Sequence, residues 1–197
     1  MMLYRSTITI GGLKLAESRI VADLLLRGVS SDEWRDAIDH KNVLQSRSPV
    51  SAKNTARLVR ERLKTLDAGA WRMVREGKGA IPIQVVFACA LKHSRLLKDF
   101  MLLTVADHYR LFSTTLPSTI WGKFLEGCRE RDSDMPLWTE ATRRRLRSSV
   151  FQCLAQAGYI SSTKECRLQK VHLAPQVVTY LKNRHEDDVL QAMQVGP

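Results

Sequence analysis

An all-α fold is predicted for this chain: a globular helical protein with an N-terminal helix-turn-helix and a C-terminal winged-helix-like element that includes a small β-hairpin. Apolar residues recur at helical spacing through most of the 197 residues. Ser, Thr, Pro and Gly punctuate those runs where helices begin and end. Short strand-like pieces are confined to an N-terminal arm and to the stretch after Gly158. A hydrophobic fraction of 44% and a charged fraction of 26% sit near globular averages and exclude a disordered chain.

Residues 2–10 alternate loosely, with Leu3, Ile8 and Ile10 as apolar members, and read as an extended arm ending at Gly11 and Gly12. A helix follows from Leu13 to Arg27, carried by Leu13, Ile20, Val21, Leu24 and Leu25 and stopped by Gly28. Ser30 with Glu33 forms a capping box for a second helix to about His40, with Trp34, Ala37 and Ile38 inward. The Gly-Val-Ser turn between these two helices suits a helix-turn-helix. After a polar loop, Ser48-Pro49 opens a third helix. Its stripe of Ala52, Ala56, Val59, Leu63 and Leu66 lies beside Lys53, Arg57, Arg60 and Lys64, four cations within an arc of about 60° at 100° per residue.

A short helix with Trp71 and Val74 leads to the Gly77-Lys78-Gly79 break, and two strongly apolar helices, Pro82 to about Lys92 and Ser94 to about Phe112, supply the centre of the core. His93 and His108 lie in or beside it as packed or surface residues. Leu116-Pro117-Ser118 opens a helix through Trp121, Phe124 and Leu125, and residues 129–136 form a charged loop. Thr139 caps a helix to Ala157 with Leu146, Val150, Cys153 and Leu154 inward and Gly158 after it. Tyr159-Ile160 and residues 171–173 read as the two arms of a hairpin around the turn 161–169, and Pro175 opens a last helix with Val177, Val178 and Leu181. The organisation expected is 1–78 for the helix-turn-helix region and its basic third helix, 79–117 for the central helices and 118–197 for the winged-helix-like region, in one compact unit.

No apolar stretch approaches the roughly 20 residues needed to span a bilayer, and the N-terminus has no secretory signal pattern. No membrane association and a cytoplasmic location are expected. Cys89, Cys128, Cys153 and Cys166 stand singly, so reduced structural thiols are expected. The spacing of Cys153, Cys166 and His172 matches no common zinc finger.

Charge is where the composition departs from the ordinary. Lys and Arg number 31 against 20 Asp and Glu, a net +11, which favours a polyanionic partner. Residues 46–78 hold nine basic and three acidic residues, and residues 139–170 hold seven and two, so these two windows carry the whole excess. Arg143, Arg144, Arg145 and Arg147 crowd the first two turns of their helix, where the dipole disfavours cations. Lys164, Arg167 and Lys170 load the expected wing. Enzyme signatures are missing: Gly77-Lys78-Gly79 lacks the glycine and hydroxyl positions of a phosphate loop, and His185-Glu186-Asp187-Asp188 lacks the second histidine of a zinc protease motif. No catalytic residue, cofactor or metal is expected.

The chain resembles the BrxA family of BREX phage-exclusion systems over nearly its full length. The resemblance is carried by residues 4–13 (YRSTITIGGL), Glu17-Ser18-Arg19, residues 24–26, Trp34, residues 42–45, residues 47–52 (RSPVSA), Arg57 and Arg62-Leu63. It continues through residues 92–97 (KHSRLL), Asp99-Phe100, Trp138, Thr142 and residues 154–159. It implies an all-helical protein with two helix-turn-helix elements beside positive surfaces, binding double-stranded DNA in a methylation-linked defence system. The expected DNA contacts are Arg47, Lys53, Arg57, Arg60 and Lys64 in the first basic stretch, and Arg143, Arg144, Arg147, Lys164, Arg167 and Lys170 in the second. The other reading is a scaffold that docks a methyltransferase or ATPase of the same assembly, with the Asp32, Glu33, Asp36 and Asp39 cluster as part of its surface. No heptad seam asks for a dimer, and a monomer is expected.

Overall fold

A computed structural model describes residues 4–8 and 10–196; the expectation for Leu3 lies outside them. Among the described residues ten helices follow one another: α1 (Leu15–Leu26), α2 (Ser31–Arg35, running on through a π-helical Asp36–His40), α3 (Pro49–Leu63), α4 (Ala68–Glu76), α5 (Ile81–His93), α6 (Arg95–Asp99, continued by a π-helical Phe100–Val105 and by Ala106–Arg110), α7 (Ile120–Arg131), α8 (Glu140–Ala157), α9 (Pro175–Asn183) and α10 (Asp187–Met193).

Local chemistry sets most of these limits. The Ser30 hydroxyl accepts the Glu33 N–H while the Glu33 carboxylate accepts the Ser30 N–H, closing a capping box on α2. Ser48, Asp67, Ser94 and Thr139 cap α3, α4, α6 and α8 in the same one-sided way. Gly28 and Gly158 sit at φ +63° and +85° past the ends of α1 and α8. There Val29 N–H donates to the Leu24 carbonyl and Tyr159 N–H to the Leu154 carbonyl, the paired closure that a left-handed residue permits.

α5 is the central helix: residues 85–91 are at most 1% exposed, and α3, α4, α6, α8, α9 and α10 all pack on it. α1 lies on α3 and α4. The principal partner of α2 is α3 rather than α1, so the expected α1–α2 pairing across the Gly-Val-Ser turn gives way to an α2–α3 pairing across residues 41–48. At the other end Phe100 of α6 packs edge-on to Trp121 and Phe124 of α7 and tilted to Phe151 of α8, with ring centroids 5.0–5.8 Å apart. The N-terminal arm crosses both halves with Tyr4, Ile8 and Leu13 fully buried.

Among the described residues the hairpin is reduced to isolated antiparallel bridges, Thr115 to Arg167 and Ile160 to Leu168. Residues 166–169 form the middle piece: Leu116 N–H and Ser161 N–H donate to the Cys166 and Arg167 carbonyls, while Leu168 N–H and Gln169 N–H donate to Thr114 and Tyr159. Residues 171–173, expected as the second arm, are not in this array. The amide of Gln84, buried in α5, donates to the His172 carbonyl and accepts the Ala174 N–H, each at 2.9 Å, so a core side chain instead of a neighbouring strand holds the backbone at His172 and Ala174. The charged loop expected from residue 129 begins later, because α7 runs on to Arg131. α10 is a helix the sequence patterning did not reveal. All four cysteines are free and buried; burial pushes the Cys89 thiol up to about 12 and those of Cys128 and Cys153 up to about 11, which makes them inert.

Candidate nucleic-acid interface

Two basic surfaces follow from this packing. The first is the face of α3 that meets α2. Ala52, Ala56, Val59 and Leu63 are buried, which turns Lys53, Arg57 and Lys64 to solvent. Lys53 Nζ lies 3.1 Å from Asp39 Oδ2 on α2. The Arg60 guanidinium lies over the Trp34 ring at 4.4 Å, and its Nε is buried without a hydrogen-bond partner. Arg47 is exposed in the loop before α3. A cleft of about 310 Å³ opens between the helices, lined by Trp34, Arg35, Asp39, Lys53, Arg57 and Arg60 above a floor of Ile38 and Ala56.

The second surface is the N-terminal half of α8 with the bridged segment after it. The Trp121 indole N–H donates to the Arg143 carbonyl at 3.1 Å, tying the start of α8 to α7. Arg143, Arg144 and Arg147 line the cleft beside that contact with Ser118, Trp121 and Glu140. Arg144 pairs with Glu140 one turn back, at 2.7 Å and with both side chains about three-quarters exposed. Arg147 lies over the Phe151 ring at 4.6 Å and also borders Thr163 of the turn. Lys164 and Lys170 are exposed, and Arg167 is 3.9 Å from Glu165.

Of the eleven expected contacts, Lys53, Arg144 and Arg167 are therefore paired with a carboxylate, and Arg60 and Arg147 are stacked on aromatic rings. Arg47, Arg57, Lys64, Arg143, Lys164 and Lys170 make no ion pair or hydrogen bond from their side chains among the described residues. Exposed pairs such as Arg144 with Glu140 are weak and salt-screened, so a polyanion competes readily for those side chains. Arg145 is also exposed and without an ion pair among the described residues, but it does not line this cleft.

One cation of the first window is unavailable. Arg62 is only 2% exposed; its Nη1 donates to the Gly12 carbonyl at 2.9 Å, and burial holds its guanidinium below its usual value. It faces the arm, and the neighbouring Leu13 N–H donates to Gln156 of α8 at 2.6 Å. The arm thereby joins the helices that carry the two surfaces. The acidic cluster of α2 is largely neutralised from within the chain: Asp32 pairs with Arg35, Asp36 with Lys41 and Asp39 with Lys53. Among the described residues no group of His, Cys, Asp and Glu side chains could hold a metal ion, and no helix is long and apolar enough to cross a membrane.

The BrxA family profile matches residues 2–185. A protein of Paramagnetospirillum magneticum (strain ATCC 700264 / AMB-1) named BREX protein BrxA is 46% identical over 193 residues, 98% of this chain and 97% of its own length. A protein of the same name from Escherichia coli O9:H4 (strain HS) is 30% identical over 184 residues, 93% of this chain and 86% of the relative. Among solved structures, the crystal structure of an uncharacterized protein from Magnetospirillum magneticum superposes with a TM-score of 0.92 at 44% identity, covering 98% of this chain and 99% of that one.

Proposed function

The chain belongs to the BrxA family of BREX proteins, and on that premise we propose that it is a non-enzymatic, cytoplasmic component of a phage-defence assembly that binds double-stranded DNA. One observation supports this most: among the described residues eight of the eleven expected contact residues have no carboxylate to neutralise them, and four arginines occupy the start of α8, where the helix dipole opposes them. A winged helix accounts for both. The chain order α6, Thr115, α7, α8 and the Ile160–Leu168 bridge supports that reading. α8 then lies in the major groove with Arg143, Arg144 and Arg147 toward bases or phosphates, and Lys164, Arg167 and Lys170 meet the flanking backbone. α3 supplies a second set of phosphate contacts through Arg47, Lys53, Arg57, Arg60 and Lys64.

The test is competition of a labelled duplex by unlabelled duplex, single-stranded DNA and RNA across a salt series. Unlabelled duplex is expected to displace the probe at concentrations at least about tenfold below the other two. Equal or better displacement by RNA would remove the duplex reading.

A protein-docking role has one specific observation in its favour. Leu111 and Phe112, at the end of α6, are 76% and 92% exposed, beside a groove lined by Leu103, Ile120 and Phe124. Such a cluster suits a defence-system partner such as the methyltransferase or ATPase. The chain then binds DNA and protein from different faces, as a monomer.

A further inference from the structure

The cleft between α2 and α3 has features that phosphate neutralisation leaves unused. Trp34 is half-buried on its wall. The indole N–H groups of Trp71 and Trp121 donate to the Leu63 and Arg143 carbonyls, but that of Trp34 has no protein acceptor among the described residues. The guanidinium of Arg60 is stacked over one face of the ring and lines the cleft with it. Arg57 adds a cation without an ion pair, and Asp39 an acceptor at the rim. A volume of about 310 Å³ lies at the small end of ligand pockets. It is too small for a strand and wide enough for one flat ring with its phosphate.

We propose that this cleft binds a single nucleotide, its base stacked on the Trp34–Arg60 platform, its exocyclic amine on Asp39 and its phosphate on Arg57. The inference deepens the DNA-binding reading and rests on it only where the nucleotide belongs to a strand. The chemistry is that of single-strand binding sites, where an aromatic platform takes any base and nearby cations take the backbone. It gives α2, which supplies none of the expected phosphate contacts, a part in recognition. A base that has left its pair is the natural occupant within a duplex, and a free nucleoside phosphate carries the same groups.

The experiment compares the affinity of the full chain for a paired duplex, for the same duplex with one unpaired adenine, and for adenosine monophosphate. The unpaired adenine is expected to tighten binding about tenfold, the effect of one base on an aromatic platform. The Trp34→Leu variant is expected to erase that gain and leave paired-duplex binding unchanged. 2-Aminopurine at the unpaired position is expected to lose emission on binding the wild-type chain, a readout that does not depend on how the variant folds. Binding of adenosine monophosphate to the wild type but not to Trp34→Leu would support the same pocket with a free nucleotide as occupant. Equal affinity for the two duplexes, with 2-aminopurine emission unchanged, would overturn the pocket and leave duplex binding standing. Failure to bind paired duplex, with monophosphate bound through Trp34, would instead remove the duplex reading and keep the pocket.

Discussion

Replacing Arg143 and Arg147 together by glutamine is expected to weaken duplex binding by about a hundredfold while the fold holds. Each guanidinium that meets a base edge or an ordered phosphate contributes roughly 1–3 kcal/mol, and a hundredfold is about 2.7 kcal/mol. Opposing terms decide the stability side. Arg147 gives up its stacking on Phe151, worth about 0.5–1 kcal/mol at a partly exposed site. Removing cations from the start of α8 relieves a dipole penalty of similar size. Tm is therefore expected to stay within about 2–4 °C of the wild type, the shift of 1 kcal/mol in a chain of this length. Calorimetry beside an anisotropy titration checks both halves, and unchanged affinity in the double variant would place the DNA elsewhere.

The second large effect concerns the arm. Tyr4 is fully buried and its hydroxyl donates to Asp99 Oδ2 at 2.6 Å while accepting from Arg131 Nε at 3.0 Å. Asp99 is 2% exposed and also takes Arg95 Nε at 2.8 Å. The Tyr4 N–H donates to Asp132 at 2.9 Å. Asp99 thus joins α6, the arm and α7 in one buried network. Removing one member of such a network leaves its partners unsatisfied, at roughly 3–5 kcal/mol. Asp99→Ala is expected to lose that much, lowering Tm by roughly 10 °C or more; Asp99→Asn, which keeps an acceptor, is expected to lose clearly less. Denaturant titration reads both, and a loss below about 1 kcal/mol for Asp99→Ala would show that the arm is held by apolar burial alone.

Helix limits were legible where their cause is local. Ser30 with Glu33, Ser48-Pro49, Thr139, Gly28 and Gly158 act within four residues of themselves, and each stands where the sequence places it. What failed to show depends on distant partners. Residues 171–173 have the composition of a strand, but Gln84, almost ninety positions earlier, takes the His172 carbonyl and the Ala174 N–H. The bridged turn closes instead through Cys166 at φ +53°, a left-handed position that no Gly or Asn announces. α10 begins without a side-chain cap at Glu186, so its four buried apolar residues and the two acids of its first turn are its only local signals. In the candidate interface, the basic stripe of α3 was readable from periodicity. Its pairing of Lys53 with Asp39, the stacking of Arg60 on Trp34 and the burial of Arg62 all come from helices meeting, which spacing within one helix does not encode. The opposite position of Arg62, 180° around α3 from Lys53 at 100° per residue, was the available clue to its inward course.

The claim on which the rest depends is that cations of α3, α8 and the segments beside them meet phosphates of one duplex, and the salt dependence of binding tests it most directly. With six to eight such contacts, the logarithm of affinity is expected to fall against the logarithm of salt concentration with a slope of roughly −5 to −7. A slope between zero and about −2 would mean that at most two phosphates are neutralised, and would contradict it.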